Sequence, residues 1–344
     1  MVKSFHIIMV LVLLAALLLG ACQAATPSET DCASTDVFCI GLVTGIEGIH
    51  DMSTNQAAWE GVQAAQNENV ADQVRYIETV DLKDYEQNIT SLAENGYDVI
   101  VSVGEQFTEA TDRMAKTYPN TSFIGVDQNQ VATTPNLTGL VFHADQGGFL
   151  AGALAAQLTR SGTIAGVFGS EMMPGMSGLK YGYEAGARYI NPEIIIISPS
   201  PPEAKELTEA DARWGASAAS DALQNGADVV FGSGDRSGNA ALIEGTHLPE
   251  AYCIGVGNDQ WESLPDAHPC LVTSVVKMVG QGITELIKQT ADGKLPAGNY
   301  YGSWGYAPYH DFESLIPQTT RDGLSQIADD LRMGSLTTGY DPGK

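Results

Sequence analysis

From Val37 onward, short apolar runs alternate with stretches of helical period ten to fifteen residues long. The runs Phe38–Val43, Arg75–Thr79, Val99–Val103, Ser122–Val126, Thr163–Phe168, Ile194–Ser198, Val229–Phe231, Tyr252–Val256 and Leu271–Val276 are predicted strands. Several are continuous and rich in β-branched residues, as parallel strands covered on both faces are. Between them the pattern predicts helices such as Asn55–Gln66, Tyr85–Asn95, Glu109–Thr117, Gly148–Thr159 and Ala212–Asn225. Strand and helix in this alternation predict a doubly wound α/β architecture. The pattern also runs twice. Asn95-Gly96-Tyr97-Asp98-Val99-Ile100 and Asn225-Gly226-Ala227-Asp228-Val229-Val230 are near copies, each closing a helix with glycine and opening a strand. Two lobes of similar build are expected, joined by short hinges, since no low-complexity stretch divides the chain.

The amino end has a different character. One positive charge, Lys3, precedes an apolar run from Ile7 to Leu19, the layout of a secretory signal over residues 1–21. Leu19-Gly20-Ala21-Cys22 then reads as a lipobox, with Cys22 as the lipidated residue that anchors the protein to the outer face of the cell membrane. Residues 22–36 are rich in Ala, Thr, Ser and Pro and are expected to form a flexible tether.

Composition narrows the function. The 344 residues allow two cores, and a formal charge of −25 repels nucleic acid, which is excluded as a partner. Five cysteines less Cys22 leave Cys32, Cys39, Cys253 and Cys270 for disulfides in an exported protein. Neighbours in sequence point to Cys32–Cys39 and Cys253–Cys270, although four cysteines allow three connectivities. No CxxC or HExxH spacing points to a metal.

Small and polar residues gather after the predicted strands. The runs are Thr44 to Gln56, Gly104-Glu105-Gln106 and Asp127-Gln128, then Gly169-Ser170-Glu171-Met172, Gly232-Ser233-Gly234-Asp235 and Gly257-Asn258-Asp259-Gln260. Ligands of open α/β sheets sit beyond the carboxyl ends of the strands, so each lobe offers a binding edge. Two such edges facing one another would enclose a small solute.

The segment from Gly48 to Gly61, GIHDMSTNQAAWEG, resembles the signature of the basic membrane protein (BMP) lipoproteins. Further likeness runs through Tyr118 to Asp127, Gly148 to Gly152, Tyr183 to Gly186, Ile254 to Gln260, Ser274 to Lys277 and Ala307 to Phe312. These proteins are substrate-binding components of ABC importers, and the group includes purine nucleoside receptors. The resemblance implies a type I periplasmic-binding-protein fold. On that plan residues 37–142 with about 258–303 form the N-terminal lobe, and 143–257 with about 304–344 the C-terminal lobe. It implies a small-molecule ligand, ABC permease and ATPase partners, no cofactor, and a monomer.

Carried over by position, Asn55 would hold a nucleobase, although Ser53 and Gln56 also have capping-box spacing at that helix start. Asp127 would accept from ring or exocyclic N–H groups, and Lys277 would reach sugar hydroxyls. Gly232 would admit close backbone approach. Asp51, Asp235 and Asp259 are candidates for hydroxyl contacts, and Gln106 and Met172 complete the expected ligand set. Three positions depart from the nucleoside-receptor pattern. Thr54 and Glu105 stand where relatives have aromatics, and Gly257 stands for a ribose-binding aspartate. The expected ligand is therefore a nucleoside, a nucleobase or a similar metabolite. Among the other aromatics, Trp59, Phe107, Trp214, Trp261 and Trp304 are potential replacements, Trp59 and Phe107 fitting core packing better. No Gly-x-Ser-x-Gly elbow, P-loop or zinc motif is present, so no enzyme is expected. A ligand-sensing receptor for a membrane signalling partner is the alternative with the same fold.

Overall fold

The structure is a computed structural model that describes residues 32–170, 175–201 and 209–341. The signal segment, Cys22 and Met172 lie outside the described residues.

Among the described residues, twelve strands form two six-stranded sheets. The first contains β1 (Cys39–Val43), β2 (Gln73–Ile77), β3 (Val99–Val103), β4 (Ser122–Val126), β5 (Leu137–Val141) and β11 (Gly298–Tyr301), in the order β11-β5-β4-β3-β1-β2. Every pairing in it is parallel. The second contains β6 (Thr163–Val167), β7 (Ile195–Ile197), β8 (Val229–Gly232), β9 (Tyr252–Gly257), β10 (Leu271–Lys277) and β12 (Trp304–Tyr306), in the order β12-β10-β9-β8-β6-β7. Only the edge strand β12 runs antiparallel.

Each sheet is buried on both faces, and alternation along the strands divides its side chains between two cores. Ile40, Leu42, Val99 and Val101 face α1 (Thr54–Asn67) and α9 (Val279–Ala291). Val43, Ile100 and Phe123 face α2 (Tyr85–Glu94) and α3 (Thr108–Thr117). In the second lobe, Ile164, Phe231 and Ile254 pack under α4 (Ala144–Leu158), α5 (Met176–Ile190) and α10 (Gln318–Met333). On its far face Ala165, Val167 and Val230 pack beneath α6 (Glu209–Gln224) and α7 (Arg236–Gly245), and the short α8 (Gln260–Ser263) follows β9. Helices α4 and α5 approach closely through Gly148, Gly152, Gly182 and Gly186, where a Cβ would strike the facing helix backbone.

The chain passes between lobes three times, at Phe142–His143, at Met278 and at Gly302–Ser303. These segments lie side by side: Gly302 N–H donates to the Val141 carbonyl at 2.9 Å, and Met278 N–H to the Ser303 carbonyl at 3.0 Å. The second passage corrects the expected lobe boundary near residue 258. Strand β10 pairs with β9 and β12, so the chain stays in the second lobe through Lys277 and rejoins the first at α9.

Cys32 is bonded to Cys39, and Cys253 to Cys270. The first bond corrects the far end of the expected tether. Cys32 is buried against α2 and the start of β1, so the folded domain begins by that residue rather than at 37.

Candidate ligand-binding site

The carboxyl ends of both sheets open onto one cleft of about 920 Å³. Five of the residues expected at the ligand line it: Asp51, Asn55, Gln106, Asp127 and Lys277. They differ sharply in what they have left to offer.

Asp51 and Asn55 bond mainly to each other and to their own loop. The Asp51 carboxylate accepts from the backbone N–H groups of Ser53 (2.9 Å), Asn55 (3.0 Å) and Gln56 (3.1 Å), and from Asn55 Nδ2 at 2.8 Å. It thus caps α1, whose dipole and first N–H groups favour an anion there. The Ser53 side chain makes no capping bond, so the Ser53–Gln56 capping box is corrected to an aspartate cap two residues earlier. Asn55 is buried, and its Oδ1 accepts from Gly45 N–H at 2.8 Å. That bond fixes the turn leaving β1, so Asn55 meets a ligand only with its remaining capacity.

Asp127 and Lys277 are the polar centre. Asp127 follows β4 in the first sheet; Lys277 ends β10 in the second. Lys277 Nζ lies 2.8 Å from Asp127 Oδ1 and 2.9 Å from Oδ2, an ion pair that spans the lobes. Both side chains keep about a quarter of their surface exposed, 29% for Lys277 and 25% for Asp127. Asp127 adopts φ 58°, a left-handed conformation uncommon outside glycine, asparagine and aspartate. Its N–H donates to the Leu140 carbonyl at 2.9 Å. The next residue, Gln128, is fully buried and donates from Nε2 to the Gly104 carbonyl at 3.1 Å. These bonds hold the carboxylate at the cleft. Behind the floor, burial pushes the Tyr85 phenol up to about 12, so it stays neutral.

The remaining candidates sit elsewhere. Gly232 and Asp235 border a side cavity of about 270 Å³. Gly232 is a packing glycine, since a Cβ there would meet the Gly238 carbonyl oxygen at 2.5 Å and Leu242 Cγ at 2.7 Å. Asp259 borders another cavity, of about 400 Å³, and its carboxylate is engaged by Trp261 N–H at 3.1 Å and His310 Nε2 at 2.9 Å. Gly257, which replaces the aspartate expected there, has φ +99° with open space around it. Trp59 packs edge-on against Tyr76, and Phe107 stacks on Tyr85 at 3.6 Å, both away from the main cleft.

Sequence reasoning misses Phe142, His143, Met176 and Tyr301, which also line the cleft, as does Glu47 from the polar run after the first predicted strand. Three of them lie at the lobe crossings, which are visible only once sheet membership is known. Lys277 Nζ stands 5.5 Å from the centre of the Phe142 ring, and the His143 and Tyr301 rings stack at 4.2 Å with 11° between their planes. Among the described residues, no group of three or more acidic, histidine or cysteine side chains is arranged to hold a metal. No helix there is long and apolar enough to cross a membrane.

Comparison with known proteins agrees with this architecture. A CD4+ T-cell-stimulating antigen of Listeria innocua is 26% identical over 317 residues, covering 86% of each chain. The ABC transporter nucleoside-binding protein BmpA of Lactococcus lactis is 28% identical over 301 residues, covering 81% of this chain and 82% of its own. An ABC transporter system solute-binding protein from Conexibacter woesei superposes with a TM-score of 0.68 at 19% identity, covering 87% of this chain and 98% of its own. That likeness establishes the type I periplasmic-binding-protein fold. Residues 42–303 match the family model described as Bmp, ABC transporter substrate-binding protein PnrA-like, a transporter component that lends no support to the sensing alternative. The chain belongs to this Bmp family of ABC transporter substrate-binding proteins.

Proposed function

We propose that the protein captures a nucleoside, a nucleobase or a similar heterocyclic metabolite between its lobes and delivers it to an ABC permease, without chemical change to the solute. The observation that carries this reading is the Asp127–Lys277 pair at the cleft centre. Each carboxylate oxygen accepts one bond from Lys277 and keeps a lone pair for another, while the ammonium keeps one of its three hydrogens. The pair therefore offers an acceptor beside a donor, which matches a heterocycle edge carrying an N–H beside a carbonyl or ring nitrogen. The nucleoside-binding name of the Lactococcus relative supports the same ligand class.

Closure of the lobes gives the solute contacts to both sheets at once. A monomer tethered through lipidated Cys22 fits the lipobox, and a Cys22→Ala protein is then expected in the soluble rather than the membrane fraction. Mass spectrometry of solute released from purified protein, followed by calorimetry with nucleosides and bases, tests the ligand. Recovery of a sugar or amino acid alone, with no heat from any base or nucleoside, would overturn the reading.

A further inference from the structure

The cleft must grip the face of a planar ligand as well as its edge, and aromatic surface for that purpose is confined to one place. Among the described residues, the rings lining the cleft are Phe142, His143, Tyr301 and Trp304, which form or flank the first and third lobe crossings. The loops after β1, β3 and β4 supply none, and Glu171, Met172, Met173 and Pro174 carry no aromatic ring. Phe142 and Trp304 are committed to packing. Phe142 bears on the cores of both lobes, and a Cβ at Gly302 would strike its ring. Trp304 is only 6% exposed and lies against Gly147. Tyr301 stays 51% exposed and His143 is exposed as well.

Strand register explains the arrangement. β11 runs parallel to β5 with Tyr301 opposite Val141. The two side chains share a face, and His143, two residues beyond Val141, returns to that face. It lies over the Tyr301 ring at 4.2 Å, nearly parallel to it. A half-exposed tyrosine braced by a second ring, inside a concave site, is a preorganised aromatic surface whose outer face is open.

We propose that the His143–Tyr301 stack is the platform for the planar part of the ligand, and that it makes the site select flat heteroaromatic solutes over sugars. The inference rests on the reading that the ligand carries a heterocycle. Offset stacking places a flat ring against Tyr301 while its polar edge turns to Asp127 and Lys277.

Calorimetry of the full chain with inosine, guanosine, adenosine, hypoxanthine and D-ribose tests this. Tyr301→Ala should weaken the best base or nucleoside roughly five- to hundred-fold, the range found for losing one aromatic under a base. His143→Ala should weaken it less, because it removes the brace rather than the surface. Tyr301→Phe, which keeps the ring, should recover most of the affinity. Thermal melts establish that each variant is folded; should Tyr301→Ala not fold, Tyr301→Leu takes its place. If wild type binds a base and the alanine or leucine variant binds it equally well, the platform is refuted and the ligand reading stands. If wild type binds only D-ribose, the ligand reading fails and the platform with it.

Discussion

Replacing Asp127 by asparagine keeps the size of the side chain but removes the charge that Lys277 faces. In the intact site Nζ reaches both carboxylate oxygens at 2.8 and 2.9 Å, with each partner about one quarter exposed. A pair at this depth lies between exposed ion pairs, worth about 0.2–1 kcal/mol, and buried ones, where removing one partner costs about 3–5 kcal/mol. An intermediate coupling of about 1–2 kcal/mol follows. The ligand also loses an acceptor, and bonds to a charged group contribute about 1.5–3 kcal/mol. Asp127→Asn should therefore bind its best nucleoside or base about ten- to hundred-fold more weakly. Lys277→Met should also weaken binding, since it leaves the carboxylate without its partner. The double variant should lose less than the sum of the two, by about 1–2 kcal/mol, because neither charge is then left alone. Calorimetry across the four proteins, with circular dichroism to confirm folding, measures this cycle. Losses that add to within about 0.5 kcal/mol would refute the coupling. Unchanged affinity in a folded Asp127→Asn would remove Asp127 from the site.

Three further outcomes are expected. Asp51→Ala removes the acceptor for three backbone N–H groups at the start of α1, and should cost about 1–2 kcal/mol, read as a fall of a few degrees in melting temperature. An unchanged melt would mean that water caps the helix equally well. Cys270→Ala opens the bond to Cys253, 17 residues away, and should lower stability by about 3 kcal/mol in denaturant titration, with reducing agent then having less effect than on wild type. Adenosine 5′-monophosphate should bind at least about tenfold more weakly than adenosine in calorimetry, since a like charge entering the cleft costs on the order of 1.4 kcal/mol or more. Equal affinity would show that a phosphate finds a cation there.

The central strands of both sheets were legible in the sequence because they are buried on both faces and read as continuous apolar runs. Val99–Val103 and Ser122–Val126 agree with the sequence pattern at both ends. Strands β5, β11 and β12 do not stand out in the same way. β5 is broken by Gly139, whose missing side chain makes room for the Gln128 carbonyl, while β11 opens with Gly298 and Asn299 and β12 has three residues. These are also the elements at the lobe crossings, so the aromatic wall formed by Phe142, His143 and Tyr301 stayed hidden. Asp127 and Lys277 could be picked out by resemblance and by position after a strand. Their pairing is a contact across 150 residues that no local pattern encodes. Asp51 shows the reverse case: its place in the cleft was expected, but its bonds turn inward to α1.

The disposition of charge in the cleft favours a neutral solute over an anionic one. Among the described residues, four carboxylates line it, Glu47, Asp51, Glu105 and Asp127, against the single ammonium of Lys277. Asp127 neutralises that ammonium. The N-terminus of α1 is the kind of place where a phosphate commonly lodges, yet Asp51 already accepts its N–H groups at 2.9–3.1 Å. A phosphate would thus have to displace a tethered carboxylate whose loop bonds are already made. Glu47 and Glu105 are exposed and add like charge on the first lobe's side, within a chain whose formal charge is −25. Repulsion of this kind is screened over about 8 Å at physiological ionic strength, so it acts on groups inside the cleft more than on those in solution. A neutral heterocycle meets no such penalty. It can use the spare lone pairs of Asp127 and the spare proton of Lys277 without separating them, and so adds bonds to a pair that already joins the two lobes.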